Sequence, residues 1–342
     1  MKPKDRMAQV FSGNKADRIP FVPTIYEHAA ALLGKTPSDL ARNEDLLVEG
    51  QLKAFDLYRH DLVVVGIDIY NLEAEALGCK VEYYDSADIP GIVSHVLEDG
   101  KEKLVNLTVP NPETDGRMPL LLNAASRVHE QIGDEVGVSG SIVGPFTLAA
   151  LIRGFEKFVY DLMLEPGFAH ELLQFTTEIS VGFGKAFAKR GLGVAVNESW
   201  ITPPLLSPKL YEQFVFPRHQ EMISRLKANG LGTVGLISGG NTTAISDLLV
   251  KTGSSILLAD YNTDLKQYKT KSMEAGVVLR GSIDSKLVEA GTPAEITEAA
   301  DKVLSIGAPG GKFIMGCGVV SYHTKPENLM SFKKAVEEFS NF

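Results

Sequence analysis

Glu198 closes the apolar run VAVNESW, flanked by Asn197 and Trp200, and a carboxylate at the end of a buried strand is costly unless it is paired or functional. Twenty residues intervene between it and His219, which opens the helical pattern PRHQEMISRL. Asp68 ends DLVVVGID, Asp260 lies in SSILLADY, and Cys317 sits between two glycines in KFIMGCGV. Tyr26 and His28, in TIYEHAA, add a phenol and an imidazole. Carboxylate, imidazole and thiol groups can exchange a proton, stabilise a developing negative charge or ligate a metal. GLISGGNTT, 235–243, carries none of them: it opens into a glycine turn and an Asn/Thr helix start, where Asn241 and Thr242 are expected to cap a helix whose N-terminus could receive an anionic group.

These residues need a scaffold that gathers strand ends. Short runs rich in β-branched residues alternate with helical patterns, which is the signature of a parallel α/β sheet. The strand candidates are 61–68, 135–143, 192–199, 231–238, 254–261, 276–284 and 312–319, and FVPTIY, 21–26, is a candidate opening strand. Helical stretches follow them, among them SPKLYEQF, PRHQEMISRLKAN, TTAISDLLVKTG, TPAEITEAADKVLSIG and KPENLMSFKKAVEEF. No G-x-G-x-x-G follows an early strand, so seven or eight such units predict an α/β fold of the (β/α)8 TIM-barrel type rather than a doubly wound sheet. The reading is one barrel domain over 1–342, with 79–120 inserted and capping one barrel mouth. In a barrel the site is built from the C-terminal ends of the strands, which collects Tyr26 to His28, Asp68, Asn197, Glu198, Trp200, Asn241, Asp260 and Cys317.

Composition narrows the partners. The 342 residues are 44% hydrophobic and carry a net charge of −9 with no Lys/Arg block, which argues against nucleic acid or a membrane surface as partner. No run of about 18 apolar residues occurs, and MKPKDRMAQVFSG lacks the apolar region of a signal peptide, so a soluble, cytoplasmic protein is expected. Two cysteines make no disulfide framework; Cys79 and Cys317 read as free thiols or metal ligands. Small molecules and other proteins remain as partners.

VGPFTLAALIRG (143–154), the segment ESW…LLSPKLYEQFVFPRHQ (198–220), SGGNTTAI (238–245), LADY (258–261), GSIDSKLVEAGTPAEI (281–296) and MGCGVVSYHTKPENL (315–329), with the opening KADRIPFVP, resemble the uroporphyrinogen decarboxylase superfamily. That superfamily includes decarboxylases and zinc-dependent cobamide methyltransferases. The decarboxylases carry an Arg-rich N-terminal loop that clamps a multiply anionic tetrapyrrole. Here the equivalent stretch is TIYEHAAALLG, without arginine, which disfavours that chemistry. In the coenzyme M methyltransferases zinc is held by His-x-Cys before GNTT and by the Cys of GCG; this chain keeps Cys317 but has Ile237 and Gly239, or one register away Leu236 and Ser238, in place of the pair. The Glu198-x20-His219 spacing resembles part of a zinc pattern of the aryl-ether O-demethylase methyltransferases, although Phe183 stands where a further Glu belongs.

The resemblance therefore implies a corrinoid-dependent methyltransferase, moving a methyl group from a small donor, best an aryl methyl ether, to the Co(I) corrinoid (cobalamin) of a partner protein. Glu198, His219 and Cys317 are the implied zinc ligands, with one position open for a leaving oxygen. Glu198, His219 and Asp68 are the implied catalytic groups, and Tyr26, His28 and Trp200 are expected to wall a ring substrate together with Asn197, Asn241 and Asp260. The alternatives are a methylcobamide:thiol methyltransferase, a uroporphyrinogen decarboxylase and a non-catalytic corrinoid-binding homologue.

Overall fold

The computed structural model describes residues 1–339. Seven strands form one parallel sheet: β1 (Leu62–Val65), β4 (Gly137–Val143), β5 (Gly193–Asn197), β6 (Val234–Ile237), β7 (Ile256–Ala259), β8 (Val278–Ile283) and β9 (Phe313–Cys317), hydrogen-bonded in that order. Two further strands, β2 (Lys80–Glu82) and β3 (Gly91–Ser94), make a separate antiparallel hairpin. Helices between the strands cover the outside, as parallel crossovers require.

The sheet curls into a barrel, and 21–24 supplies its eighth stave. Phe21 and Thr24 bridge in parallel to Met315 and Val319 beside β9. On the other edge the Asp61 N–H donates to the Phe21 carbonyl at 2.8 Å, and the Phe21 N–H donates to the Asp61 carboxylate at 2.7 Å. Arg6 and Arg18 hold that same buried carboxylate, so a charge-assisted node closes the seam. The stave pairs through isolated bridges because Pro20 and Pro23 each remove a ladder donor.

Barrel interiors are usually filled by bulky branched side chains. Here Gly137, Ser139, Gly193, Ala195 and Gly235 face inward, and their small size leaves a lumen cavity of about 340 Å³. Its lower end is lined by Lys4, Met7, Ala8 and Phe11 of the helix Pro3–Phe11, whose Met7 and Val10 pack on Val22, Ile256, Val278 and Ile314. The main apolar core lies outside the sheet, between strands and helices. Two elements depart from expectation. TTAISDLLVKTG is a 3-10 turn, Thr243–Ile245, and one helical turn, Ser246–Leu249, rather than a continuous helix. SPKLYEQF runs through a π-helical segment, Tyr211–Val215, into the helix Phe216–Ala228.

Candidate active site

Two cavities share Tyr26 as a lining residue, one running up the barrel interior and one at its C-terminal mouth. The first is the lumen, whose upper part is bounded by Tyr26, Asn197, Thr24 and Arg280. The second is a mouth pocket of about 120 Å³ among Tyr26, Glu27, Asp68, Tyr70, Asn71 and the loop residues Ile89 and Pro90.

Glu27 starts the helix Glu27–Leu33, is buried, and leaves Oε2 without a partner. Burial raises its carboxyl to about 7, so it is a half-protonated acid near neutrality. Asp68, beside it in the pocket, is held differently: Arg117 donates to both its oxygens, at 2.9 and 2.6 Å, and Asn71 donates at 3.2 Å. Burial pushes the Asp68 carboxyl up while the Arg117 fork pulls the other way. Arg117 is itself raised, against the pull of burial, by its bond to Asp68 and the charges of Asp68 and Glu75. An acid clamped at both oxygens offers no free position for donating a proton. Asn71 also donates to the Pro90 carbonyl at 2.6 Å, which fixes the loop after β2 against the mouth.

Across the lumen, the Asn197 amide donates to Ser141 Oγ at 2.6 Å, and the Tyr26 hydroxyl donates to the same oxygen at 3.4 Å. Burial raises the Tyr26 phenol to about 12. Arg280, inward-facing in the middle of β8, donates from Nη2 to Thr24 Oγ1 at 2.8 Å and to the Cys317 carbonyl at 2.5 Å. Burial pulls its pKa below the ordinary guanidinium value without neutralising it.

The implied Glu198–His219–Cys317 zinc set is not assembled. Glu198 Oε1 does lie 3.3 Å from His219 Nε2, both fully buried, but without hydrogen-bond alignment. The Glu198 carboxylate is already engaged at the N-terminus of the helix Pro145–Arg153, accepting from the Phe146 N–H at 2.9 Å, the Thr147 N–H at 3.1 Å and the Thr147 hydroxyl at 2.9 Å. Gly144 makes room for it, since a Cβ there would fall 2.2 Å from Glu198 Cγ. His219 turns its other nitrogen to the Tyr211 hydroxyl at 3.2 Å. Cys317 lies on β9, with β6, β7 and β8 between it and β5, where burial raises its thiol to about 12 and Arg280 is a charged neighbour. Among the described residues no three His, Cys, Asp or Glu side chains converge as a metal site. A guanidinium beside the one retained cysteine also opposes a dication electrostatically. The residues present therefore do not fit zinc.

The proposed aromatic wall is likewise dispersed. His28 is buried against Tyr58, its Nε2 2.7 Å from the phenol oxygen, and burial lowers its pKa to about 4. Trp200 packs edge-on against Phe155 at 5.3 Å. Only Tyr26 of the three lines the cavities. Asn241 is exposed and accepts from the Thr243 N–H at 3.1 Å; the short turn behind it gives no helix N-terminus for an anion. Asp260 explains the glycine turn instead. Gly240, at φ +82°, donates its N–H to Asp260 Oδ2 at 2.8 Å, while the Tyr261 N–H takes Oδ1 at 2.9 Å. Sequence reading gathered Glu27 with the strand ends but gave it no role, and it passed over Arg117 and Arg280; the signal for the last was an arginine in the middle of the apolar run GVVLRGSID.

Residues 2–339 match the family described as uroporphyrinogen decarboxylase (URO-D). Among similar curated proteins, the methylcobamide:CoM methyltransferase MtbA of Methanosarcina acetivorans is 28% identical over 99% of this chain and 98% of its own length. A uroporphyrinogen decarboxylase of Anaeromyxobacter dehalogenans is 24% identical over 88% of this chain and 87% of its own. Among solved structures, a methyltransferase from Methanosarcina mazei superposes with a TM-score of 0.88 at 22% identity, covering 99% of both chains, which establishes the barrel fold. No helix among the described residues is long and apolar enough to cross a membrane.

Proposed function

The chain belongs to the uroporphyrinogen decarboxylase family, and from that membership we propose that it is a corrinoid-dependent methyltransferase exchanging a methyl group between a small molecule and the cobalt of a partner corrinoid protein. What supports this reading is the end-to-end likeness to methylcobamide-dependent relatives. The finer reading is an oxygen-bound donor, an aryl methyl ether or a similar compound. It is supported by the mouth pocket, where Glu27 presents an acid with a pKa of about 7.

A methyl ether is a poor electrophile because its leaving group is an oxyanion. A reduced corrinoid supplies a Co(I) nucleophile strong enough to attack the methyl carbon. As that carbon passes to cobalt, the C–O electron pair stays on oxygen, and the Glu27 carboxyl gives oxygen its proton before recovering one from solvent. Tyr26 lines both cavities, and Asn197 orders its lumen side through Ser141. Asp68 and Arg117 act as positioning residues that fix the floor of the pocket. The segment 79–120 serves as the cap on this mouth, since Ile89 and Pro90 line the pocket and Arg117 holds the lining residue Asp68.

The second reading, methyl transfer between methylcobamide and a thiol, is favoured by the names of the relatives and opposed by the missing thiol-activating ligands. The deciding experiment mixes the purified protein with a Co(I) corrinoid protein and a panel of methoxyaromatics, methanol and methylamines, following the cobalt spectrum. Formation of methyl-Co(III) with an ether is the expected result. If no donor methylates cobalt, the oxygen-donor reading is wrong; demethylation of methylcobamide by a thiol supports the second reading, and corrinoid-free turnover of uroporphyrinogen overturns both.

A further inference from the structure

Arg280 is a cation without a counter-ion. It is 4% exposed, yet no carboxylate among the described residues pairs with it, and Nε has no hydrogen-bond partner. The other guanidinium buried to this degree, Arg6, is held by Asp17 and Asp61, and the half-buried Arg117 by Asp68 and Glu75. A buried charge is normally paired because the interior cannot solvate it. The acidic group that acts on Arg280 from farther away, Asp260, has its oxygens committed to the N–H groups of Gly240 and Tyr261.

The surroundings keep that cation in place and in reach of the cavity. Arg280 lines the lumen with Tyr26 and Asn197. Gly316, the first glycine of GCG, leaves space for it, since a Cβ there would fall 2.7 Å from Arg280 Nε. Next along the same inward face of β8, Ser282 is 2% exposed with its hydroxyl unpartnered. An unpaired guanidinium beside an open space, with a further unsatisfied hydroxyl on the same strand face, describes a site shaped for an acceptor.

We propose that Arg280 receives the oxyanion of a small substrate, a carboxylate or sulfonate, which sits in the barrel lumen with the rest of the molecule alongside Tyr26 and Asn197. Within the methyltransferase reading, on which the word substrate rests, this makes the methyl donor an anion anchored in the lumen with its methyl end toward the mouth. The lumen, at about 340 Å³, lies within the range of about 300–1,000 Å³ common for small-molecule sites.

Calorimetric titration tests this without turnover. Acetate, benzoate, 4-methoxybenzoate and ethanesulfonate are compared with the neutral anisole and benzyl alcohol, on the wild type and on Arg280→Lys and Arg280→Gln, each checked for folding by thermal melting. The expected result is that at least one anion binds the wild type about tenfold or more tighter than its neutral counterpart, and that Arg280→Gln removes the preference. Arg280→Lys keeps part of it. The inference is overturned if no anion outbinds the neutral compounds, or if a folded Arg280→Gln retains the preference. Should Arg280→Gln not fold, the wild-type comparison and Arg280→Lys decide. Failure of the methyltransferase reading registers separately, as no methyl-Co(III) from any donor while the anion preference persists.

Discussion

Glu27 sits where a carboxyl is least comfortable, buried at the first turn of a helix beside the mouth pocket, with one oxygen unpartnered. Burial holds its folded pKa at about 7, above the ordinary carboxyl value of 4.5, so the folded state binds its proton more tightly than the unfolded chain does. This group's contribution to stability is therefore fully present below about pH 4.5 and is lost as pH rises through about 7. His28, lowered to about 4 by burial, has the opposite slope, its contribution being lost as pH falls below 6.5, so the wild-type curve alone is ambiguous. The difference between wild type and Glu27→Gln isolates the carboxyl. The variant should match the wild type near pH 4.5 and exceed it by about 1–3 kcal/mol at pH 8, read from urea midpoints. In the methyl-transfer assay the wild-type rate should fall as pH rises through about 7, and Glu27→Gln should abolish that limb while lowering the rate at pH 6 by about 100-fold. An unchanged rate in the variant removes Glu27 from the chemistry.

The helix Pro145–Arg153 begins with Pro145 at its first turn and no capping side chain of its own, so its leading N–H groups need an acceptor from elsewhere. Glu198, from the end of β5, is that acceptor, and its negative charge also suits the positive end of the helix dipole. Glu198→Gln should therefore lower stability by about 1–3 kcal/mol, with binding of small anions in the lumen unaltered in the folded fraction, as melting and calorimetry on one preparation would establish. A selective loss of turnover at unchanged stability would instead return Glu198 to catalysis. This element also shows what sequence could and could not tell. The alternation of apolar runs located all seven sheet strands and the 21–26 stave, because a parallel strand covered on both faces must be apolar along its length. That a carboxylate at 198 must be paired or functional was equally legible. Which of the two applied was not, because its partners, Phe146 and Thr147, come from a helix more than fifty residues earlier in the chain. Arg117 and Arg280 were missed for the same reason: one lies in the irregular segment 79–120, the other inside a strand, and only the closed barrel shows where either points.

At the scale of the whole barrel, the lumen is a stability cost that a filled interior would not carry. Apolar contacts are absent wherever Gly137, Ser139, Gly193, Ala195 and Gly235 replace the branched residues that normally interlock. Natural proteins tend to keep such space where a ligand needs it, and substitutions that fill it gain stability at the expense of function. Ala195 is the informative position, since it is inward-facing, nearly buried and on the strand that carries Asn197. Ala195→Leu adds three carbons to a cavity of about 340 Å³, and burying them should raise stability by about 1–2 kcal/mol. The same side chain occupies the space through which a small acid would reach Arg280, so anion binding should weaken about tenfold or more while the melting temperature rises. Opposite movement of the two quantities in one variant separates a binding lumen from a packing defect: if melting rises and anion binding is untouched, the ligand lies elsewhere, and if melting falls, the lumen walls are more rigid than their small side chains imply.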